Sequence, residues 1–117
     1  MNRTPANAQA IVAALGKADI GNAIEIAGTD PGDPASAAAV QRADTIINTT
    51  SLGLHADDDL PLALDGVSTG TLIADIIMVP EQTAWLADAE ARGLPVHYGR
   101  HMLDCQMDLI GGFLGAL

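Results

Sequence analysis

The chain has 117 residues, which suffice for one domain with a modest hydrophobic core. Hydrophobic residues make up 49% of it and aromatic residues only 3%, so the core must be built mainly from Ala, Ile, Leu and Val, which suits an α/β protein. The formal net charge of −10 argues against a nucleic acid or an anionic membrane as a partner.

The first half of the chain predicts two helices and a short strand. Thr4 can cap a helix over residues 5–15, whose first position suits Pro5 because no N–H is needed there. Its apolar residues recur at helical spacing on one face: Ala8, Ile11, Val12 and Leu15. The segment Ala23 to Ala27 alternates like a strand, and Ala35 to Arg42 is an Ala-rich helical stretch after a turn-rich loop.

The second half alternates strands and helices at short spacing. We expect strands at Thr45 to Asn48, Leu72 to Ile77 and Leu94 to Tyr98, and helices at Glu81 to Arg92 and Arg100 to Leu117. This order is typical of a doubly wound parallel sheet in an α/β fold. With no repeat or linker, residues 1–117 are predicted to form a single domain.

One polar residue interrupts the apolar pattern of the last helix. Gln106 falls within a stripe made of Met102, Leu103, Leu109, Ile110, Phe113, Leu114 and Leu117. A buried amide loses stability unless it finds hydrogen-bond partners. Gln106 is therefore either bonded to a neighbouring backbone or directed at a ligand in a cleft.

Polar residues also follow or interrupt the two central strands. Asp75 lies inside the run "LIADIIMV", and "NTTSLG" (Asn48 to Gly53) directly follows a buried strand. Open α/β sheets bind ligands at the carboxyl ends of their strands. Asp75 can equally accept hydrogen bonds from loop amides, and the polar loop can simply turn the chain.

Other chemistries find little support. The single cysteine, Cys105, excludes an internal disulfide and a cysteine-based zinc site, and fits a reducing cytoplasm. We expect no metal site, because the acids beside His55 are typical of a solvated loop and no second histidine has ligand spacing. Ser51 has no evident His/Asp partnership, which argues against a serine hydrolase. Without a signal peptide or a membrane-length apolar run, we predict a cytoplasmic protein.

Five motifs in order resemble one enzyme family. They are "NRT" before a helix, "DTIINTTSLGL", Asp58-x-x-Pro61, "ADIIMVPEQT" and "GRHMLDCQ". Together they resemble the C-terminal, nucleotide-binding half of the shikimate dehydrogenase family. The resemblance implies a Rossmann-like domain that binds NADP, and an oxidoreductase that reduces 3-dehydroshikimate to shikimate in chorismate and aromatic amino acid biosynthesis.

The resemblance also assigns roles to cofactor-binding residues. Arg3 of the "NRT" motif would grip the 2′-phosphate of NADP, since a guanidinium forks onto a phosphate. Near Arg3, many relatives have a second basic residue, where this chain has Asn7. Backbone contacts to the nicotinamide fall on Ile76 and Gly99. The full cofactor-binding set is Asn2, Arg3, Thr4, Asn7, Asn48, Thr49, Thr50, Ser51, Ile76 and Gly99.

Two residues match substrate-binding positions. Gln106 corresponds to the family's glutamine that hydrogen-bonds the ring hydroxyls, which favours the ligand-facing interpretation of this residue. Met78 falls where many members have a tyrosine that touches the substrate, so quinate or a related ring acid is an alternative to shikimate.

The family's other parts precede the "NRT" motif. They are the first strand, the Gly-rich phosphate loop and an N-terminal substrate domain with the catalytic Lys and Asp, and this chain has none of them. We therefore expect a partial Rossmann-like domain without catalytic residues, inactive alone, that associates with a missing N-terminal half or with itself. A non-catalytic remnant or binding module is the other hypothesis.

Overall fold

The computed structural model describes residues 4–15, 27–29 and 32–116. The chain divides into two compact units, Met1–Arg42 and Ala43–Leu117. No helix within the described residues is long and apolar enough to cross a membrane.

The first unit contains two helices. Helix α1 spans Pro5–Leu15, as predicted. Helix α2 spans Pro34–Gln41 and begins one residue before its predicted start, because Asp33 caps it by accepting a hydrogen bond from the Ala35 amide at 2.8 Å. The predicted strand at Ala23 to Ala27 lies outside the described residues, except for Ala27, which is not in a strand.

The second unit is built on a parallel sheet. Strands β1 (Thr45–Asn48), β2 (Leu72–Asp75) and β3 (Val96–His97) lie side by side in that order. In the register of β1 and β2, the last residues of both strands, Asn48 and Asp75, are partners. The predicted parallel pairing of these two strands, and the α/β fold class with it, is confirmed.

Strand β2 is shorter than predicted. The expectation of a strand through Ile77 is wrong, because the Asp75 carboxylate accepts a hydrogen bond from the Ile77 amide at 3.0 Å. That bond takes the Ile77 N–H away from any ladder partner, so the chain leaves the sheet two residues early.

Helices α3 and α4 follow the sheet strands. Helix α3 spans Ala84–Ala91 rather than starting at Glu81, because the Thr83 hydroxyl caps it by accepting from the Leu86 amide at 3.3 Å. Helix α4 spans Gly99–Leu114, one residue earlier than predicted at its start. The expectation that it continues to Leu117 is wrong, because the helix ends at Leu114 and Gly115 follows it in the left-handed conformation, with φ +67.

The hydrophobic core lies between the sheet and α3. It consists of Leu64, Ile73, Trp85, Leu86, Ala89 and Leu94. Trp85, the chain's single tryptophan, is 1% exposed and donates its indole N–H to the Leu62 carbonyl at 2.8 Å. The core is thus aliphatic as predicted, apart from this one large aromatic residue.

The apolar stripe of α4 is not buried in this structure. Its described members are all exposed, from 40% at Leu103 to 90% at Phe113. Only Gly99, at the start of the helix, is buried. The expectation that this stripe encloses a buried Gln106 is therefore wrong, because no element of the described chain covers this face.

Candidate functional site

A cleft lies at the carboxyl ends of β1 and β2. Its volume is about 510 Å³. We call the residues after β1 the loop wall, formed by Thr49, Thr50, Ser51 and Leu54. We call the residues after β2 the strand wall, formed by Ile76, Ile77, Met78 and Val79. Open parallel sheets bind ligands at this position, outside the carboxyl ends of their strands.

The loop wall is shaped by the buried amide of Asn48, which is 4% exposed. Its Oδ1 accepts from the Thr50 amide at 3.0 Å and from the Thr50 hydroxyl at 2.7 Å. Its Nδ2 donates to the Leu52 carbonyl at 2.9 Å. Within the described residues the hydroxyls of Thr49 and Ser51 have no hydrogen-bond partner, which leaves them available to a ligand.

Asp75, at the base of the strand wall, is 3% exposed. Its Oδ1 accepts from Asn48 Nδ2 at 3.2 Å and from the Ile77 amide at 3.0 Å. Its Oδ2 accepts from the Thr83 hydroxyl at 2.9 Å. Of the two interpretations of Asp75, the structure supports the internal acceptor, and nothing of its carboxylate is directed at the cleft.

The far end of the loop is closed by Asp58, the first residue of the Asp-x-x-Pro motif. Its Oδ2 accepts from the His55 amide at 3.0 Å and from the Gly53 amide at 2.9 Å. These two backbone hydrogen bonds lower the pKa of the Asp58 carboxyl. Gly53 itself has φ +105, and a Cβ there would come within 3.3 Å of Ile77 Cδ1. A glycine is needed for the loop to pass against the strand wall.

Helix α4 begins directly against the strand wall. A Cβ at Gly99 would lie 2.5 Å from the Ile77 carbonyl oxygen and 2.6 Å from the Ile76 carbonyl carbon. No side chain fits at this approach, so glycine is required. The two residues that the resemblance links to the nicotinamide, Ile76 and Gly99, therefore meet in space.

The other predicted site residues are placed as follows. Thr49, Thr50, Ser51, Ile76 and Met78 line the cleft, and Asn48 lies beneath it.

Gln106 is exposed on α4 and is not among the residues that line this cleft, and its side-chain amide makes no hydrogen bond with described residues. Thr4 and Asn7 belong to the first unit, where the Asn7 amide donates to the Thr4 carbonyl at 2.9 Å. Asn2 and Arg3 lie outside the described residues.

Sequence reasoning missed the contribution of Thr83. The signal was present, because a threonine just before a helical run is a common N-cap. What the sequence could not give is the second bond of this hydroxyl, to an aspartate eight residues earlier. That contact depends on how α3 packs against the end of β2.

The arrangement is of Rossmann type, as predicted: the sheet is parallel, a cleft lies at its carboxyl edge, and helices follow its strands.

No protein-family model matches the chain. Over 102 residues, the chain is 35% identical to the shikimate dehydrogenase (NADP(+)) of Rhodopseudomonas palustris strain HaA2, which covers 87% of this chain and 33% of that enzyme. The predicted resemblance to the shikimate dehydrogenase family is confirmed.

Two further comparisons agree with this result. A shorter stretch of 59 residues is 48% identical to the shikimate dehydrogenase (NADP(+)) of Staphylococcus haemolyticus strain JCSC1435, covering 50% of this chain and 22% of that enzyme. The fold superposes on quinate dehydrogenase from Corynebacterium glutamicum in complex with NAD, with a TM-score of 0.71 and 22% identity. That match covers 86% of this chain and 34% of the other, and it establishes the fold.

Proposed function

We propose that this chain forms part of the nicotinamide dinucleotide site of a shikimate dehydrogenase-type oxidoreductase, with NADP as the cofactor. The reaction would be reduction of 3-dehydroshikimate to shikimate, a step toward chorismate and the aromatic amino acids. The observation that carries the proposal is the cleft at the carboxyl ends of β1 and β2, against which Gly99 and Ile76 meet. The relatives that are named NADP-dependent shikimate dehydrogenases support it.

The chemistry of the cleft suits a nicotinamide ring and its carboxamide. The strand wall offers Ile76, Ile77 and Met78 as an apolar surface for a flat ring. The loop wall offers the hydroxyls of Thr49 and Ser51, which have no partner among the described residues and can bond polar groups of the cofactor. When bound, the nicotinamide supplies the hydride. This chain's residues would hold the ring and limit its exposure to water.

The remaining site assignments are part of the same proposal. Arg3, with Asn2, Thr4 and Asn7 nearby in sequence, would bind the 2′-phosphate of NADP, since a guanidinium pairs with a phosphate through two hydrogen bonds. Gln106 would bond substrate hydroxyls.

Met78 lines the cleft and is 40% exposed, so it is available to touch the substrate. Its thioether lacks the hydroxyl of the tyrosine found in many relatives, and quinate therefore remains the second candidate substrate.

The 102 aligned residues of this chain span 33% of the Rhodopseudomonas enzyme. We infer that acid–base catalysis is supplied by other parts of such an enzyme, because no lysine, histidine or acid is among the residues that line this cleft. The isolated polypeptide would then be inactive, and would act only with a complementary segment, in the cytoplasm, on a small ring acid.

A segment exchange tests the proposal. The 102 aligned residues of this chain would replace their counterpart in the Rhodopseudomonas enzyme, and reduction of NADP would be followed by absorbance with shikimate and with quinate. We expect turnover by the hybrid and none by the isolated chain. A folded hybrid that turns over neither acid would contradict the proposal, and a preference for quinate would select the second substrate.

A further inference from the structure

One side-chain hydrogen bond joins the two walls of the cleft at their base. Asn48 and Asp75 are the last residues of β1 and β2, are partners in the sheet register, and are bonded from Asn48 Nδ2 to Asp75 Oδ1 at 3.2 Å. The loop wall starts immediately after Asn48, and the strand wall starts immediately after Asp75. The distance between the walls is therefore set where these two side chains meet.

Both side chains are committed to internal partners. Asn48 donates to Leu52 and Asp75 and accepts twice from Thr50, while the Asp75 carboxylate accepts from Asn48, Ile77 and Thr83. Because both groups are buried, water does not readily replace a hydrogen bond that is lost here, so each loss is costly. The geometry of both walls is consequently fixed by one connected set of bonds.

The set is also anchored to the core. Thr83 is 1% exposed, donates to Asp75 and accepts from Leu86 at the start of α3. Trp85 and Leu86 of that helix belong to the hydrophobic core. Asp75 thus connects the loop wall and the strand wall to a packed helix.

We propose that Asp75 is a positioning residue that, through Asn48, holds the loop wall against the strand wall and so sets the affinity of the cleft for a nicotinamide dinucleotide. The part concerning affinity rests on the proposed function, while the part concerning geometry does not. In this role Asp75 itself touches no ligand. It acts through the backbone of Ile77 and the amide of Asn48.

Two substitutions separate geometry from charge. Asp75→Ala removes all three acceptor contacts. Asp75→Asn keeps an oxygen that can accept from Asn48 and Ile77, and its new amide can donate to the Thr83 hydroxyl, which is able to accept. Asp65→Asn is the matched control, because Asp65 is 81% exposed, pairs with Arg92 away from the cleft, and loses the same charge.

The first measurement is amide hydrogen exchange without cofactor. The informative amide in Asp75→Ala is Thr50, which bonds Asn48 and not Asp75, so a change there shows transmission through Asn48. We expect exchange at Thr50 to rise about tenfold or more in Asp75→Ala, the loss of roughly one hydrogen bond. We expect exchange at Thr50 to rise less than about threefold in Asp75→Asn and to stay unchanged in Asp65→Asn. The Ile73 amide, bonded to the Pro95 carbonyl in the sheet, reports global unfolding.

The second measurement is the NADP⁺ dissociation constant of each variant by NMR titration. Asp75→Ala should weaken binding about tenfold or more, and Asp75→Asn should restore it to within about threefold of the parent. If neither the parent chain nor the hybrid enzyme binds NADP⁺, the proposed function fails, and the exchange data alone decide the positioning role.

Two results would overturn the inference: unchanged Thr50 exchange in a folded Asp75→Ala variant, or an Asp75→Asn variant as impaired as Asp75→Ala. If Asp75→Ala unfolds globally, Asn48→Ala breaks the same bond from the other strand. Exchange at Ile77, which bonds Asp75 and not Asn48, should then rise, and an unchanged Ile77 would refute the proposal.

Discussion

At the scale of single residues, Gly99 has the closest surroundings of the described glycines. A Cβ there would lie 2.5 Å from the Ile77 carbonyl oxygen, so either α4 or the strand wall must move. We expect Gly99→Ala to lower the free energy of unfolding by about 1–3 kcal/mol through overpacking. Urea denaturation followed by Trp85 fluorescence measures it.

Gly112 is the matched control for this substitution. It lies in the same helix, and a Cβ there would meet nothing within 4 Å. Gly112→Ala should therefore favour the helix by about 1 kcal/mol, the usual difference between the two residues. Equal stability of Gly99→Ala and the parent would show that the contact between α4 and the strand wall is absent in solution.

Asp58 gives the loop a dependence on pH. The His55 and Gly53 amides bond its ionised carboxylate and lower its pKa below the ordinary value of 3.8. Since the pKa of Asp58 is lower in the folded state, these two bonds stabilise the folded loop above pH 3.8. That stabilisation is lost as the pH falls through the lowered pKa. The amide resonances of Gly53 and His55 should titrate together with a midpoint below 3.8.

Asp58→Asn should abolish this titration, while Asp57→Asn, which changes a neighbouring exposed acid, should leave it in place. A midpoint at or above 3.8 would contradict the two bonds to Asp58.

The residue-level site was only partly predictable. Polar side chains at the ends of β1 and β2 marked the cleft correctly, because carboxyl ends of parallel strands meet at one edge. The sequence did not reveal that Asn48 and Asp75 bond each other. Such a bond depends on the register of two strands that are 27 residues apart in the chain.

At the scale of elements, local patterns gave the existence and type of each helix and strand in the described chain. The predicted boundaries are wrong where a side chain bonds the backbone. This occurs at Asp75 for the end of β2 and at Thr83 for the start of α3. The predicted burial of the apolar face of α4 is wrong, because periodicity shows which residues share a face but not what covers that face.

The exposed face of α4 leads to a prediction about association. Leu109, Ile110 and Phe113 are 76%, 54% and 90% exposed. Apolar patches of this kind promote self-association, whereas a net charge of −10 opposes it at low salt. We expect sedimentation velocity to show dimers or larger species that increase with protein concentration and with added salt.

Replacing Leu109 and Phe113 together by serine should return the chain to a monomer. Replacing Val79, which is 78% exposed and lies on the strand wall, should not. A parent chain that stays monomeric at high concentration and high salt would contradict this expectation.

At the scale of the whole molecule, the proposed function requires a nucleotide cleft that one unit of the chain builds from two strand ends and the start of a helix. Every described residue that lines the cleft comes from the segments 49–54 and 76–79. The sheet register, the Asp75 hydrogen bonds and the Gly99 contact all set the same geometry. The resemblance to NADP-dependent enzymes gives that geometry its proposed ligand.

Titration of the isotopically labelled 117-residue chain with NADP⁺, followed by amide chemical shifts, shows whether the nucleotide binds in this cleft. We expect the largest shifts at Thr49, Thr50, Ser51, Ile76, Ile77 and Gly99, with weaker changes when NAD⁺ replaces NADP⁺. Shifts confined to other residues, or no shift at millimolar NADP⁺, would contradict it.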